Sequence, residues 1–184
     1  MRGLKRFLFV FLLFPLFWAF ASCQQSSTTT VSGSPSISVY FSPRGGATSA
    51  IVSEIKRAEK SIDVAIYSFT SRKIARALIA AHKRGIRVRI VADEGSARSR
   101  NSVLPLLESA GIPVRYKRGS GGGLMHNKYA VVDGETVITG SFNWTVSAEK
   151  RNDENLLVIK GLPAVVKAYE ENFEKLWELA GLTN

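Results

Sequence analysis

Apolar residues recur along the chain at two periods, and the switches between them outline its elements. Residues 37–41 put Ile37, Val39 and Phe41 on one face, the period-two signature of a strand. Pro43-Arg44-Gly45-Gly46 follows as a turn, after which Ile51, Ile55 and Ala58 recur at helical spacing. A helix is therefore expected to run through Lys60, capped by Thr48 or Ser49. Residues 62–69 are a mostly apolar run of buried-strand type. Ser71 then caps a helix with Ile74, Leu78, Ile79 and Ala81 on its inner face and Gly85 as its stop. A strand over 86–92 and a helix over 101–110, with its regular part confined by Pro105 to the residues beyond it, lead to a strand over 112–116. Residues 155–159 read as a further strand. A terminal amphipathic helix covers 162–179, with Val165, Val166, Tyr169, Phe173 and Trp177 inward and Gly181 past its end. This rhythm predicts an α/β fold, a mixed β-sheet flanked by helices on both faces.

Residues 125–144, MHNKYAVVDGETVITGSFNW, interrupt the alternation. Two β-branched and aromatic runs flank Asp133-Gly134, the local signature of a β-hairpin. With those two as turn residues, pairing runs 132 with 135, 130 with 137, 128 with 139 and 126 with 141. His126, Lys128, Thr139 and Ser141 then share a face, which Ala130, Val132 and Val137 continue toward the turn. Tyr129, Val131, Ile138 and Phe142 line the other face. Asn143 keeps the parity of the first set, so an imidazole, an ammonium, hydroxyls and an amide converge on one patch suited to an anion with several oxygens.

Residue type sets what such a patch can do. Lys128 brings a point charge with three donors, Asn143 an amide and Ser141 a hydroxyl, and together they suit the non-bridging oxygens of a phosphate. His126 is either a nucleophile or a general acid/base. As a nucleophile it would form a phosphohistidine and split one phosphoryl displacement into two easier steps. A leaving alkoxide needs a proton, best supplied by a second histidine. The other histidine, His82, reads as a helix-face residue beside Lys83 and Arg84 in a last turn, where a cation suits the helix dipole. Asn143-Trp144-Thr145 matches a glycosylation acceptor, but modification there would block the patch. Gly119–Gly123, GSGGG, lacks the Lys-Ser/Thr of a phosphate loop and reads as a mobile lead into the patch.

His126-x-Lys128-x4-Asp133 followed by Gly140-Ser141-x-Asn143 resembles the HxKxxxxD…GSxN motif of the phospholipase D superfamily, at every position and spacing. The chain looks most like its single-motif bacterial endonucleases of the Nuc type, and more distantly like the mitochondrial cardiolipin hydrolase group. The resemblance covers roughly Ser36 to the C-terminus. It implies a phospholipase D-like α-β-α sandwich and a metal-independent reaction in which one histidine attacks phosphorus and another protonates the leaving oxygen. A chain with one motif must then act as a homodimer. Glu154 matches the acidic residue that the family hydrogen-bonds to the catalytic histidine, and Asp133 carries over as a structural member. No cofactor is implied, and no Cys/His/Asp cluster has metal-ligand spacing.

The N-terminus bears on destination. Arg2, Lys5 and Arg6 precede an apolar stretch from Phe7 to Ala21, the layout of a secretory signal peptide over residues 1–22 and too short for a membrane span. Export to the periplasm or the medium follows. Ala21-Ser22-Cys23 resembles the end of a lipobox, with Phe20 where Leu is usual, so the free form is preferred over a lipid anchor at Cys23. Cys23 is the only cysteine, which rules out an intrachain disulfide. Residues 23–35, rich in Gln, Ser and Thr, read as a flexible tether, and the catalytic domain as 36–184. Without the three N-terminal cations, the full chain's charge of +10 falls to +7. That favours polyanions.

Two basic segments, one carrying Arg98 and Arg100 and the other Lys117 and Arg118, follow strands and are candidates for tracking a phosphate backbone. Trp144 either stacks on a base or plugs the core. The reading is an exported phosphodiesterase that cleaves DNA or RNA with little sequence preference. Its alternatives are a phospholipase acting on anionic phospholipid, and a non-catalytic surface module that binds DNA.

Overall fold

The computed structural model describes residues 34–182, so the signal-peptide, Cys23 and most of the tether assignments fall outside the described residues. Its elements are β1 (Ser36–Ser42), α1 (Ala47–Arg57), β2 (Ser61–Ile66), α2 (Arg72–Lys83), β3 (Arg87–Asp93), α3 (Glu94–Ala97), α4 (Leu104–Ser109), β4 (Val114–Lys117), β5 (Lys128–Val132), β6 (Thr136–Gly140), α5 (Val146–Lys150), β7 (Glu154–Lys160) and α6 (Pro163–Gly181). The strands form one seven-stranded sheet in the order β1-β7-β6-β5-β2-β3-β4. β2, β3 and β4 run parallel, joined through α2 and α4, and the pairs from β2 outward to β1 are antiparallel. This is the mixed α/β sheet that the alternation predicts.

Helices cover both faces. On one, Ile51, Ile55, Ile74 and Leu78 from α1 and α2 pack with Val64, Ile90, Ala130 and Ile138. On the other, Val166, Phe173 and Leu176 of α6 pack with Val91, Tyr129, Val131 and Val137. α6 does not reach the β1 edge, so Ile37, Val39 and Phe41 share a face as expected but stand 51 to 66% exposed, while Tyr40 packs inward.

Boundaries depart from the periodicity where distant groups intervene. α1 starts after Gly46, whose φ of +86° a residue with a side chain would resist, and the amide of Thr48 donates to the Glu149 carboxylate instead of Thr48 acting as cap. The helix stops at Arg57 rather than Lys60, because the amides of Glu59, Lys60 and Ser61 turn onto the Asp133 carboxylate at 2.7 to 3.2 Å. β2 ends at Ile66, freeing Tyr67 to Phe69 for the region described next. The loop expected after Asp93 contains the short α3, which the Asp93 side chain caps through the amide of Ser96. Pro105 sits in the first turn of α4, where its missing N–H costs nothing.

Candidate active site

The hairpin forms, with a different register. Asp133 (φ +57°) and Gly134 (φ +68°) are the turn residues, and the amide of Glu135 donates to Val132 O at 3.0 Å. Val132 then pairs with Thr136, not Glu135, so Glu135 is an extra residue in the manner of a bulge. One residue of slip inverts the partner strand. Tyr129 faces Thr139 and Val131 faces Val137 on the α6 side, whereas Ala130 and Ile138 share the opposite face with Val132. Thr139 therefore leaves the patch, and its hydroxyl accepts from Tyr169 at 3.1 Å. Phe142 likewise joins the core on the Ile138 side.

Ser141 reaches the patch through a break in the strand. Gly140 has φ +145°, and a Cβ there would lie 2.3 Å from Asn155 O, so only glycine lets the chain pass β7 and turn. The Ser141 hydroxyl then donates to Glu154 at 2.6 Å and accepts from the Asn155 amide at 3.1 Å. Its single hydrogen is committed to Glu154, so it is a positioning group here and not a free phosphate donor. Glu154 also accepts from Asn152 at 3.1 Å. The family resemblance puts this carboxylate on His126; in this chain it is taken up by Ser141 and Asn152.

His126 precedes β5, exposed, and among the described residues nothing hydrogen-bonds its ring nitrogens. Its ring lies against Tyr67, with centroids 4.5 Å apart and planes tilted by 59°. The buried Lys128 ammonium sits 4.9 Å from the same tyrosine ring and donates to His126 O at 2.6 Å. Burial lowers its pKa below the usual lysine value, opposed by the nearby Glu154 and Asp93 carboxylates. Lys128 thus holds a desolvated charge beside an open imidazole.

Folding brings the Tyr67 ring against both the His126 imidazole and the Lys128 ammonium, and Tyr67 carries no motif signal. The same holds for Asp93, 1% exposed, whose carboxylate accepts from the amide of Met125 at 3.0 Å and so fixes the chain just before His126. The GSGGG segment is a hydrogen-bonded turn, closed by the Gly119 amide on Gly123 O and the Gly122 amide on Gly119 O.

Asn143 is the one described residue with a buried side-chain polar atom, Oδ1, that lacks a partner. Leaving it so costs about 1 to 3 kcal/mol, recovered when a ligand or water supplies a donor. Next to it, the amide of Trp144 donates to Ser68 O, and Trp144 O accepts from the amides of Thr70 and Ser71. These bonds place Asn143 beside the Tyr67 segment. The Trp144 side chain is 1% exposed and stands edge-on to Phe69 at 5.1 Å, so it plugs the core and is not placed to stack on a base. Asp133 lies in the turn at the far end of the hairpin.

The four candidate backbone contacts divide. Arg98 and Arg118 both pair with Glu94, at 2.6 and 3.0 Å. Lys117 is buried, its ammonium donating to Arg118 O and Ser120 Oγ. Arg100 is exposed and, among the described residues, unpaired.

A family profile described as "Cardiolipin synthase, PLD-like domain" matches residues 51–177. Mitochondrial cardiolipin hydrolase of Xenopus laevis is 42% identical over 130 residues, which are 71% of this chain and 60% of that protein. Phospholipase D of Rickettsia prowazekii (strain Madrid E) is 42% identical over 124 residues, 67% of this chain and again 60% of the relative. The chain thus spans about three-fifths of the length of these curated relatives. The crystal structure of the phospholipase D family member Nuc from Salmonella typhimurium superposes with a TM-score of 0.74 at 39% identity, covering 79% of this chain and 95% of that one.

Proposed function

Because the chain belongs to the phospholipase D superfamily, we propose that it is an exported phosphodiesterase that cleaves nucleic acid with little sequence preference, acting as a homodimer through His126. The observation that carries the reading is the exposed imidazole, whose ring nitrogens have no partner among the described residues, packed at a tilt against Tyr67 beside the desolvated Lys128 ammonium.

A ring nitrogen of His126 attacks phosphorus, the phosphorus–oxygen bond to the leaving group breaks, and the leaving oxygen takes a proton from a second imidazolium. Water then attacks the phosphohistidine, giving its proton to that second imidazole, and the phosphorus–nitrogen bond breaks to restore His126. Lys128 and the Asn143 amide balance the charge on the non-bridging oxygens. The second imidazole comes from another copy of the chain. His82 lies in the last turn of α2, whose first turn abuts Trp144, and the 11 residues from Ser71 to His82 put it roughly 16 Å away along the helix. A charge of +7 once the three N-terminal cations are removed, and recognition centred on phosphate, favour a nucleic acid over a single headgroup. The lipid reading has its own support in the names of the two relatives, a cardiolipin hydrolase and a phospholipase D.

The test is cleavage of plasmid and single-stranded DNA by the purified full-length protein in a chelator, with His126→Ala alongside and fluorescent cardiolipin as a parallel substrate. DNA loss that disappears in the variant supports the nuclease; turnover of lipid alone moves the protein to the phospholipase reading. An active monomer in sedimentation at assay concentration would overturn the dimer.

A further inference from the structure

A groove of about 680 Å³ opens where the start of α2, the segment leading into α4, and α5 meet. Its walls carry Arg72, Lys73, Arg100 and Arg151, and no acidic side chain lines it. Among the described residues the guanidinium groups of Arg72, Arg100 and Arg151 have no ion-pair or hydrogen-bond partner, and the Lys73 ammonium meets only the Ser49 hydroxyl, at 3.5 Å. Four cations gathered without a counter-charge repel one another, an arrangement stabilised when an anion enters. Leu106 and Val146, 41 and 53% exposed, add apolar surface beside them.

The groove is joined to the catalytic segment. The amides of Thr70 and Ser71, on its wall, donate to Trp144 O, one residue from Asn143. Val146 is three residues past Asn143, a span of at most roughly 11 Å. At roughly 3.4 Å per stacked nucleotide, no more than about three nucleotides separate Asn143 from this wall of the groove.

We propose that this groove is a second binding site, which holds the backbone phosphates of a single strand within a few nucleotides of the phosphate beside Asn143 and His126, with the arginines on the phosphates and Leu106 and Val146 against sugar and base. The proposal rests on the nuclease reading and adds to it a length requirement: short diesters occupy only the His126 site, longer strands both. A polyanion fits better than a lone headgroup because the cations are spread over three elements. An isolated phosphate could meet only some of them.

The test uses the full-length protein, Arg72→Glu/Arg151→Glu and the charge-conserving Arg72→Lys/Arg151→Lys, with melting curves confirming that each folds. Three readouts apply: affinity for labelled oligodeoxynucleotides of 2 to 20 residues, turnover of bis(4-nitrophenyl) phosphate, and binding to cardiolipin-containing vesicles. Wild-type affinity should rise steeply between about 3 and 8 nucleotides. The Glu pair should lose at least tenfold on the 20-mer and nothing on the dinucleotide, keep small-diester turnover within twofold, and flatten the salt slope by about 1.4, at roughly 0.7 per single-strand phosphate contact. The Lys pair should stay within threefold of wild type. Unchanged 20-mer affinity in the Glu pair, equal losses in both pairs, or loss confined to vesicles would each overturn the proposal. Failure of the nuclease reading is separately visible, as wild-type binding of the 20-mer without cleavage.

Discussion

The β5–β6 hairpin is built differently at its two ends. At the turn, the Asp133 carboxylate accepts from the amides of Glu59, Lys60 and Ser61, and every polar group it meets is spoken for. At the open end, among the described residues, the His126 imidazole has no hydrogen bond and the buried Asn143 Oδ1 has no donor, and the Lys128 ammonium is desolvated. Satisfied groups lower the energy of the fold, whereas the desolvated Lys128 charge is held at a cost that a bound phosphate would offset, and Asn143 Oδ1 at one that a donor on a ligand or water would offset. The contrast assigns stability to one end and chemistry to the other, and substitutions can separate the two.

The largest effect is expected at His126. His126→Ala should lower phosphodiester cleavage roughly 10⁴-fold by removing the nucleophile, with folding stability within about 0.5 kcal/mol because the ring is exposed and unbonded. A large loss of melting temperature would show that the open end is structural after all. Lys128→Met should cost about 10²- to 10³-fold in turnover while leaving stability equal or higher. Its sign can be checked against pH. Burial lowers the folded pKa of Lys128 beneath the ordinary 10.5, so in the window below 10.5 the unfolded chain holds more protons and wild-type stability gains with rising pH. The Met variant should lack that gain, and chemical denaturation at several alkaline pH values would show whether it does.

Asp133→Ala reverses the pattern. Three backbone amides lose their acceptor, which should cost roughly 2 kcal/mol and, for a domain of this size, about 4 to 8 °C of melting temperature. Activity per folded molecule should stay near wild type at low temperature; a collapse there would erase the distinction between the ends. At Tyr67 a smaller change is expected. Tyr67→Leu removes the ring that meets the Lys128 ammonium and the His126 imidazole, worth about 0.5 to 1 kcal/mol for the ammonium, and should lower turnover around tenfold once imidazole orientation is included. Tyr67→Phe keeps the ring and should stay within twofold. If the Phe variant fell as far as the Leu one, the hydroxyl and not the ring would matter.

Much of this was legible in the chain, for identifiable reasons. Period-two and helical patterns report burial on one face, so the sheet and the main helices could be read, and the spacing of His126, Lys128, Ser141 and Asn143 marked the motif. What failed depended on groups distant in sequence. The bulge at Glu135, invisible in an Asp-Gly signal, moved Thr139 to the other face; Asp133 ended α1 three residues early; Tyr67 met His126 only through folding. Reading cations by local density singled out Arg98 and Arg118, which Glu94 neutralises, the buried Lys117, and Arg100, which does line the groove, and missed Arg72 and Arg151, which reach it from the start of α2 and the turn after α5.

That last difference sets the smallest and most discriminating test. Glu94 holds Arg98 at 2.6 Å and Arg118 at 3.0 Å, both on the surface, and exposed pairs of this kind are worth roughly 0 to 1 kcal/mol. Arg98→Ala and Arg118→Ala should therefore change oligonucleotide affinity by less than twofold, since each arginine is already matched by a carboxylate. Glu94→Gln releases both without adding a cation. It should tighten binding about two- to threefold at low salt, and the gain should vanish near physiological ionic strength, where the Debye length of about 8 Å screens exposed charge. If Arg98→Ala instead weakened binding as much as the loss of Arg72, ion pairing would not be what divides these cations, and proximity to the strand would be.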